Sequence, residues 1–77
     1  ILMEELLRYI VQGLIDSDDI VITTRSGHHS ITLMLQIPAG DAGKVIGKNG
    51  RVVKAIRDVL GIVAAKQHKR VHLEVNS

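Results

Sequence analysis

The run Gly43-Lys44-Val45-Ile46-Gly47-Lys48-Asn49-Gly50-Arg51-Val52-Val53 interleaves glycine and small apolar residues with cations. A Gly-x-x-Gly segment lets the main chain approach an anion closely, because no side chain obstructs it and glycine accepts positive φ. An amphipathic helix is expected directly after it, and the first amides and positive dipole end of such a helix address the same spot. Lys44, Lys48, Arg51 and Lys54 crowd positive charge around the loop. The chemistry this suits is a grip on a sugar-phosphate backbone. It holds no reaction centre.

Other readings of the chemically capable residues fail on spacing. A Walker loop needs four residues between its glycines and a Ser or Thr after the lysine. Here three separate Gly43 from Gly47, Asn49 follows Lys48, and the segment lies between helices instead of after a strand. His28 and His29 are adjacent, with no carboxylate or cysteine at chelating distance along the chain, so they do not read as metal ligands. Asp16-Ser17-Asp18-Asp19 lacks the glycine and distal glutamate of a calcium loop and reads as a solvated turn. No Ser–His pair or carboxylate pair falls in a cleft. The expectation is a protein that is not an enzyme, with no catalytic residue, cofactor or metal.

The elements that position the loop are legible from periodicity. Met3, Leu6, Leu7, Ile10, Val11, Leu14 and Ile15 recur at steps of three and four, which predicts a helix of about a dozen residues. Glu4 and Glu5 complement its dipole, and Glu4 is placed to pair with Arg8 one turn on. Ile20–Thr24 is β-branched throughout and predicts a strand. Ser30–Ile37 alternates, with Ile31, Leu33, Leu35 and Ile37 on one face, and the short glycine-containing loop Arg25–His29 makes the pair a hairpin. Pro38 stops the second strand. Asp41 is placed to cap a short helix over Ala42–Ile46 that Gly47 ends.

Val52, Val53, Ile56, Val59 and Leu60 form the stripe of a further helix, with Arg51, Lys54, Arg57 and Asp58 on its wet side. Gly61 either ends that helix or sits inside a last turn through Ala65. Lys66–Arg70 is a basic loop, and Val71, Leu73 and Val75 alternate as a third strand. The order α-β-β-α-α-β, with a right-handed crossover between the second and third strands, predicts an α+β fold: a three-stranded mixed sheet with three helices on one face.

Bulk properties fit one small folded domain over residues 3–76. Apolar residues make up 45% of the chain and charged residues 23%, a globular balance. The absence of cysteine excludes disulfides and thiolate metal sites and favours a reducing compartment. No apolar run approaches the roughly 18–20 residues that span a bilayer, and no secretory signal is visible, so a cytoplasmic protein without a membrane partner is expected. Met3-Glu4-Glu5 has the form of a natural start, and whether Ile1-Leu2 are native stays open. The net charge of +2 is unevenly spread: residues 1–42 carry −4 and residues 43–77 carry +6. The second half is the one that faces a polyanion.

Val45-Ile46-Gly47-Lys48-Asn49-Gly50-Arg51-Val52-Val53 resembles the Val-Ile-Gly-x-x-Gly-x-x-Ile signature of KH domains. Val53 stands where isoleucine is commoner, which keeps the core role. The element order is that of the type II KH fold, and a single such domain over residues 3–76 resembles the small bacterial RNA-binding KH proteins. The resemblance implies a cleft for about four nucleotides of single-stranded RNA, clamped by the Gly-x-x-Gly loop. By position, Gly47 and Gly50 would shape the loop, Lys48 and Asn49 would fill its variable places, and Ile46 would line the cleft from the helix side. The opposite wall would be Lys66–Arg70 with Val71–Leu73.

The RNA-binding set expected on this reading is Lys44, Ile46, Gly47, Lys48, Asn49, Gly50, Arg51, Lys54, Lys66, Lys69 and Arg70. Tyr9 is the only Phe, Tyr or Trp and lies on the first helix, so no ring platform of the kind used by other RNA modules is available. Low sequence specificity follows, as in a small RNA chaperone or post-transcriptional regulator. Single-stranded DNA stays open, because no group is assigned to a 2′-hydroxyl. The rival reading is a protein-interaction module, a homodimer or a partner of a second KH-domain protein. For that, Leu60–Ala65 is more apolar than one helix face buries, and Met34 faces outward from the central strand.

Overall fold

Met3, Leu7 and Val11 recur every four residues and are the buried residues of helix α1, Met3–Leu14. A computed structural model describes residues 2–76. Ile1 therefore lies outside the described residues. Leu2 is the N-cap of α1, and its carbonyl accepts from the Leu6 amide at 3.1 Å. Strand β1, Val21–Ser26, and strand β2, Ser30–Gln36, pair antiparallel. Helix α2, Ala39–Ile46, is followed by one 3-10 turn, Lys48–Gly50, then by helix α3, Arg51–Lys66, and strand β3, Arg70–Asn76. The order α-β-β-α-α-β and the mixed sheet are as predicted.

β2 is the central strand and pairs parallel with β3. Its alternation places Ile31, Leu33 and Leu35 on the inner face, where all three are buried. On the helix side, Leu7, Val11, Val45, Ile56, Leu60 and Ala64 close the core. No polar or charged side chain is buried among the described residues, so the core between the layers is held by apolar packing. A fully enclosed residue such as Leu60 is positioned by fit on all sides, which fixes α3 over the sheet.

The structure differs from the sequence-based expectation at four local points. α2 begins at Ala39, three residues early, with Pro38 as N-cap; Asp41 sits in its first turn and donates its amide to the Pro38 carbonyl at 2.9 Å. Proline suits a helix start, where its missing N–H costs nothing, and Asp41 complements the dipole without capping. The expected Glu4–Arg8 pair is replaced by longer-range contacts. Arg8 donates to the Ile20 carbonyl at 3.2 Å and Glu4 accepts from the Thr24 hydroxyl at 3.3 Å, tying α1 to β1. β1 runs on to Ser26, leaving only residues 27–29 as the hairpin loop. Gly61 lies inside α3, and Lys66 is that helix's last residue.

Candidate nucleic-acid interface

Gly47 separates α2 from the 3-10 turn with φ 76° and ψ 173°, a region essentially reserved for glycine. A Cβ at this position would run into the Val52 side chain and come within 2.9 Å of the Val52 amide nitrogen. Gly50 has φ 73° and ψ 16°, and an added Cβ would meet nothing closer than 3.9 Å, so only its left-handed backbone asks for glycine. Asn49, at φ 58° and ψ 26°, is left-handed too. Asparagine is one of the few side chains that accept this conformation. The sequence reading gave Asn49 a variable place; the Asn-Gly dipeptide was the available signal of its conformational role.

The bend spends some amide donors internally. The Gly47 amide donates to Gly43 at 2.8 Å, the Gly50 amide to Gly47 at 3.2 Å, and the Arg51 amide to Lys48. The turn, loop and cap bonds of the described residues leave the amides of Lys48 and Asn49 free. They lie in the 3-10 turn just ahead of the 16-residue α3, whose N-terminus has no side-chain cap, so the positive end of its dipole adds to the attraction for an anion there. Lys44, Lys48 and Arg51 are exposed around it, and Ile46, 38% exposed at the end of α2, adds an apolar edge.

The expected site residues fall into two groups. Lys44, Ile46, Gly47, Lys48, Asn49, Gly50 and Arg51 surround the bend, with Lys54 one turn along α3. Lys66, Lys69 and Arg70 gather at the other end of α3, about 22 Å away at the helical rise. A groove flanks the second group and reaches back along α3 as far as Arg57. Its helix wall is Arg57, Asp58, Gly61, Ile62 and Ala65, and its strand wall is Lys69, Arg70, Val71 and His72. Gly50, Lys54, Arg57, Asp58, Gly61, Ile62 and Ala65 recur at three- and four-residue steps, so one face of α3 runs from the bend into the groove.

Three contacts involve the expected cations. Lys54 is ion-paired with Asp58 at 3.3 Å, and both side chains are mostly exposed. Such a pair is weak and readily gives way to a phosphate. Lys69 donates its ammonium to the Ser26 hydroxyl at 2.9 Å, and the Arg70 amide donates to the His29 carbonyl at 2.9 Å. The basic turn is thereby fastened to the hairpin, a placement that only the β2–β3 register reveals. Tyr9 is exposed on α1 and does not line the groove. Among the described residues, no group of three or more His, Cys, Asp or Glu side chains is placed to hold a metal, and no helix is long and apolar enough to cross a membrane.

The comparisons with known proteins decide the family. The model of the KhpA/KhpB KH domain matches residues 4–75. The chain belongs to the KhpA/KhpB KH-domain family. Proteins named RNA-binding protein KhpA are similar to it along almost all of their length. That of Borreliella burgdorferi is 43% identical over 92% of this chain and 88% of its own. That of Clostridium acetobutylicum is 43% identical over 95% of this chain and 99% of its own. The Listeria monocytogenes protein is 43% identical over 95% and 97%. No solved structure matches the chain. This is a family of KH-domain RNA-binding proteins and not of enzymes.

Proposed function

We propose that this chain binds single-stranded RNA with low sequence preference, acting as a small RNA chaperone or post-transcriptional regulator. The bend from Gly47 to Gly50 holds one backbone phosphate, and the α3–β3 groove takes the nucleotides that follow. The observation that carries the reading is the pair of free amides in the turn just ahead of an uncapped helix N-terminus, ringed by Lys44, Lys48 and Arg51. Relatives named as RNA-binding support RNA as the ligand. Aliphatic Ile46 and Ile62 offer packing to bases without a hydrogen-bond code, which supports weak discrimination.

A salt titration with an unstructured oligoribonucleotide tests this. Two or three phosphate contacts give a log–log slope of about −1.5 to −2. A flat response, or no binding in dilute buffer, removes the proposal. In the same titration Asp58→Asn raises affinity about threefold, since it deletes an anion from the groove wall and frees Lys54.

A second reading rests on Val59 and Ile62, 44% and 65% exposed three residues apart on α3. Here a second copy, or another KH-domain protein, covers that face and joins two shallow grooves. Linked sites gain avidity without any new contact to RNA. Light scattering at micromolar concentration then gives twice the chain mass of 8.4 kDa. A monomer mass removes the homodimer.

A further inference from the structure

All four histidines of the chain gather at the groove's far end. His28 and His29 form the exposed tip of the β1–β2 hairpin, His68 stands in the turn after α3, and His72 lines the groove from β3. The tip abuts the groove directly, because the Arg70 amide that starts the strand wall donates to the His29 carbonyl at 2.9 Å. The His28 and His29 rings lie 6.4 Å apart between centroids, tilted by 48°, and both side chains are open to solvent. Neither ring makes a hydrogen bond to another side chain among the described residues.

Charge surrounds these rings. Ser30 pairs with Arg70, and Thr32 pairs with both Arg25 and His72, so Arg25, Arg70 and His72 share the open face of the sheet beside the tip. Lys69 is held against Ser26 at the base of the same hairpin. No carboxylate is ion-paired to any of these cations among the described residues. Exposed planar rings amid unpaired cations are the two ingredients of a single-strand contact: a surface for base stacking and counter-charge for the phosphates. Imidazole serves for stacking as other rings do.

We propose that the β1–β2 hairpin tip is a second contact for the same single-stranded RNA, with His28 and His29 stacking on bases beyond those held in the groove. The proposal rests on the RNA-binding reading above and extends its footprint past the nucleotides the groove takes. Arg25 and Arg70 meet the phosphates of the outgoing strand. The absence of Phe and Trp thus does not leave the chain without a stacking surface.

The test compares the full chain with a His28→Ala/His29→Ala variant on uridine oligomers of about four and about ten nucleotides, lengths within the range of known single-strand footprints. Comparing proteins on one oligomer cancels the extra binding registers of the longer strand. The variant is expected to bind the longer oligomer about tenfold more weakly and the shorter one unchanged. Tyrosine at both positions keeps the longer oligomer's affinity, and abasic residues outside the central four remove the difference between the proteins. Equal binding of the longer oligomer by both proteins overturns the proposal, as does a difference that persists on the abasic strand. Failure of the unmodified chain to bind even the short oligomer overturns the underlying reading, an outcome distinct from loss of the length-dependent part alone. Both histidines are exposed and lie outside the core, so their substitution leaves the fold intact, which circular dichroism checks.

Discussion

Gly47→Ala is expected to destabilise the domain by about 3 kcal/mol, whereas Gly50→Asn leaves stability within about 1 kcal/mol. Both glycines belong to the same short motif, and the asymmetry comes from what surrounds each. At Gly47 the backbone sits at φ 76° and ψ 173°, where an L side chain is strained by itself. The added methyl also has nowhere to go, since Val52 fills the space and its amide lies 2.9 Å away. The Val52 amide is main chain in the first turn of α3 and cannot rotate aside, so the bend must open. At Gly50 the backbone is ordinary left-handed helix and the nearest atom is at 3.9 Å. Asparagine tolerates that conformation, as Asn49 beside it demonstrates.

Thermal melts followed by circular dichroism separate the two. For a domain of this length, Gly47→Ala lowers Tm by on the order of 15 °C, and Gly50→Asn by a few degrees at most. Equal losses at the two positions would mean that the glycines are present for close approach to a ligand and not for the fold. Because opening the bend also redirects the free amides of Lys48 and Asn49, Gly47→Ala weakens RNA binding even at temperatures where it remains folded.

Much of this arrangement could be read from residue spacing, and the reasons are physical. Ile31, Leu33 and Leu35 alternate because one sheet face must be dry. Ile56, Leu60 and Ala64 repeat at four because one helix face must be. These patterns fixed the element types and their order. The start of α2 was hidden because Ala39 and Gly40 carry no hydrophobic period and glycine has poor helix propensity, so only the Pro38 N-cap marks it. The Glu4–Arg8 pairing failed because local spacing lists only neighbours on the same helix, while β1 offered both side chains better-placed partners across the layers.

The proposed site is legible in its loop and not in its extent. Gly47, Gly50 and the cations between and beside them are contiguous, so sequence alone collects them. The hairpin tip is about 40 residues from Lys69 along the chain. It joins the groove through the Lys69–Ser26 and Arg70–His29 bonds, which follow from β-sheet register. Register is a property of the assembled sheet, and nothing in His28-His29 or Lys66–Arg70 taken singly declares that they meet.

The largest effect on binding without loss of fold is expected from Lys48→Asp/Asn49→Asp. The pair occupies the two positions whose amides the bend leaves free, and the change replaces one positive charge with two negative ones at the proposed phosphate site. Close to a partly screened surface, such a reversal is worth about 3 kcal/mol, or at least about 100-fold in affinity. The backbone is preserved because aspartate tolerates the left-handed conformation almost as well as asparagine, and Lys48 is exposed with no ion-pair partner among the described residues. Melting temperature should therefore stay within a few degrees of the unmodified chain while RNA titrations lose their signal. The salt slope discriminates further: any residual binding through Lys66, Lys69 and Arg70 has a slope smaller by about 0.7 for each phosphate the bend no longer holds. Affinity that survives the double substitution at an unchanged slope would place the phosphate grip elsewhere, at the basic end of the groove, and the bend would be left with a purely structural role in linking α2 to α3.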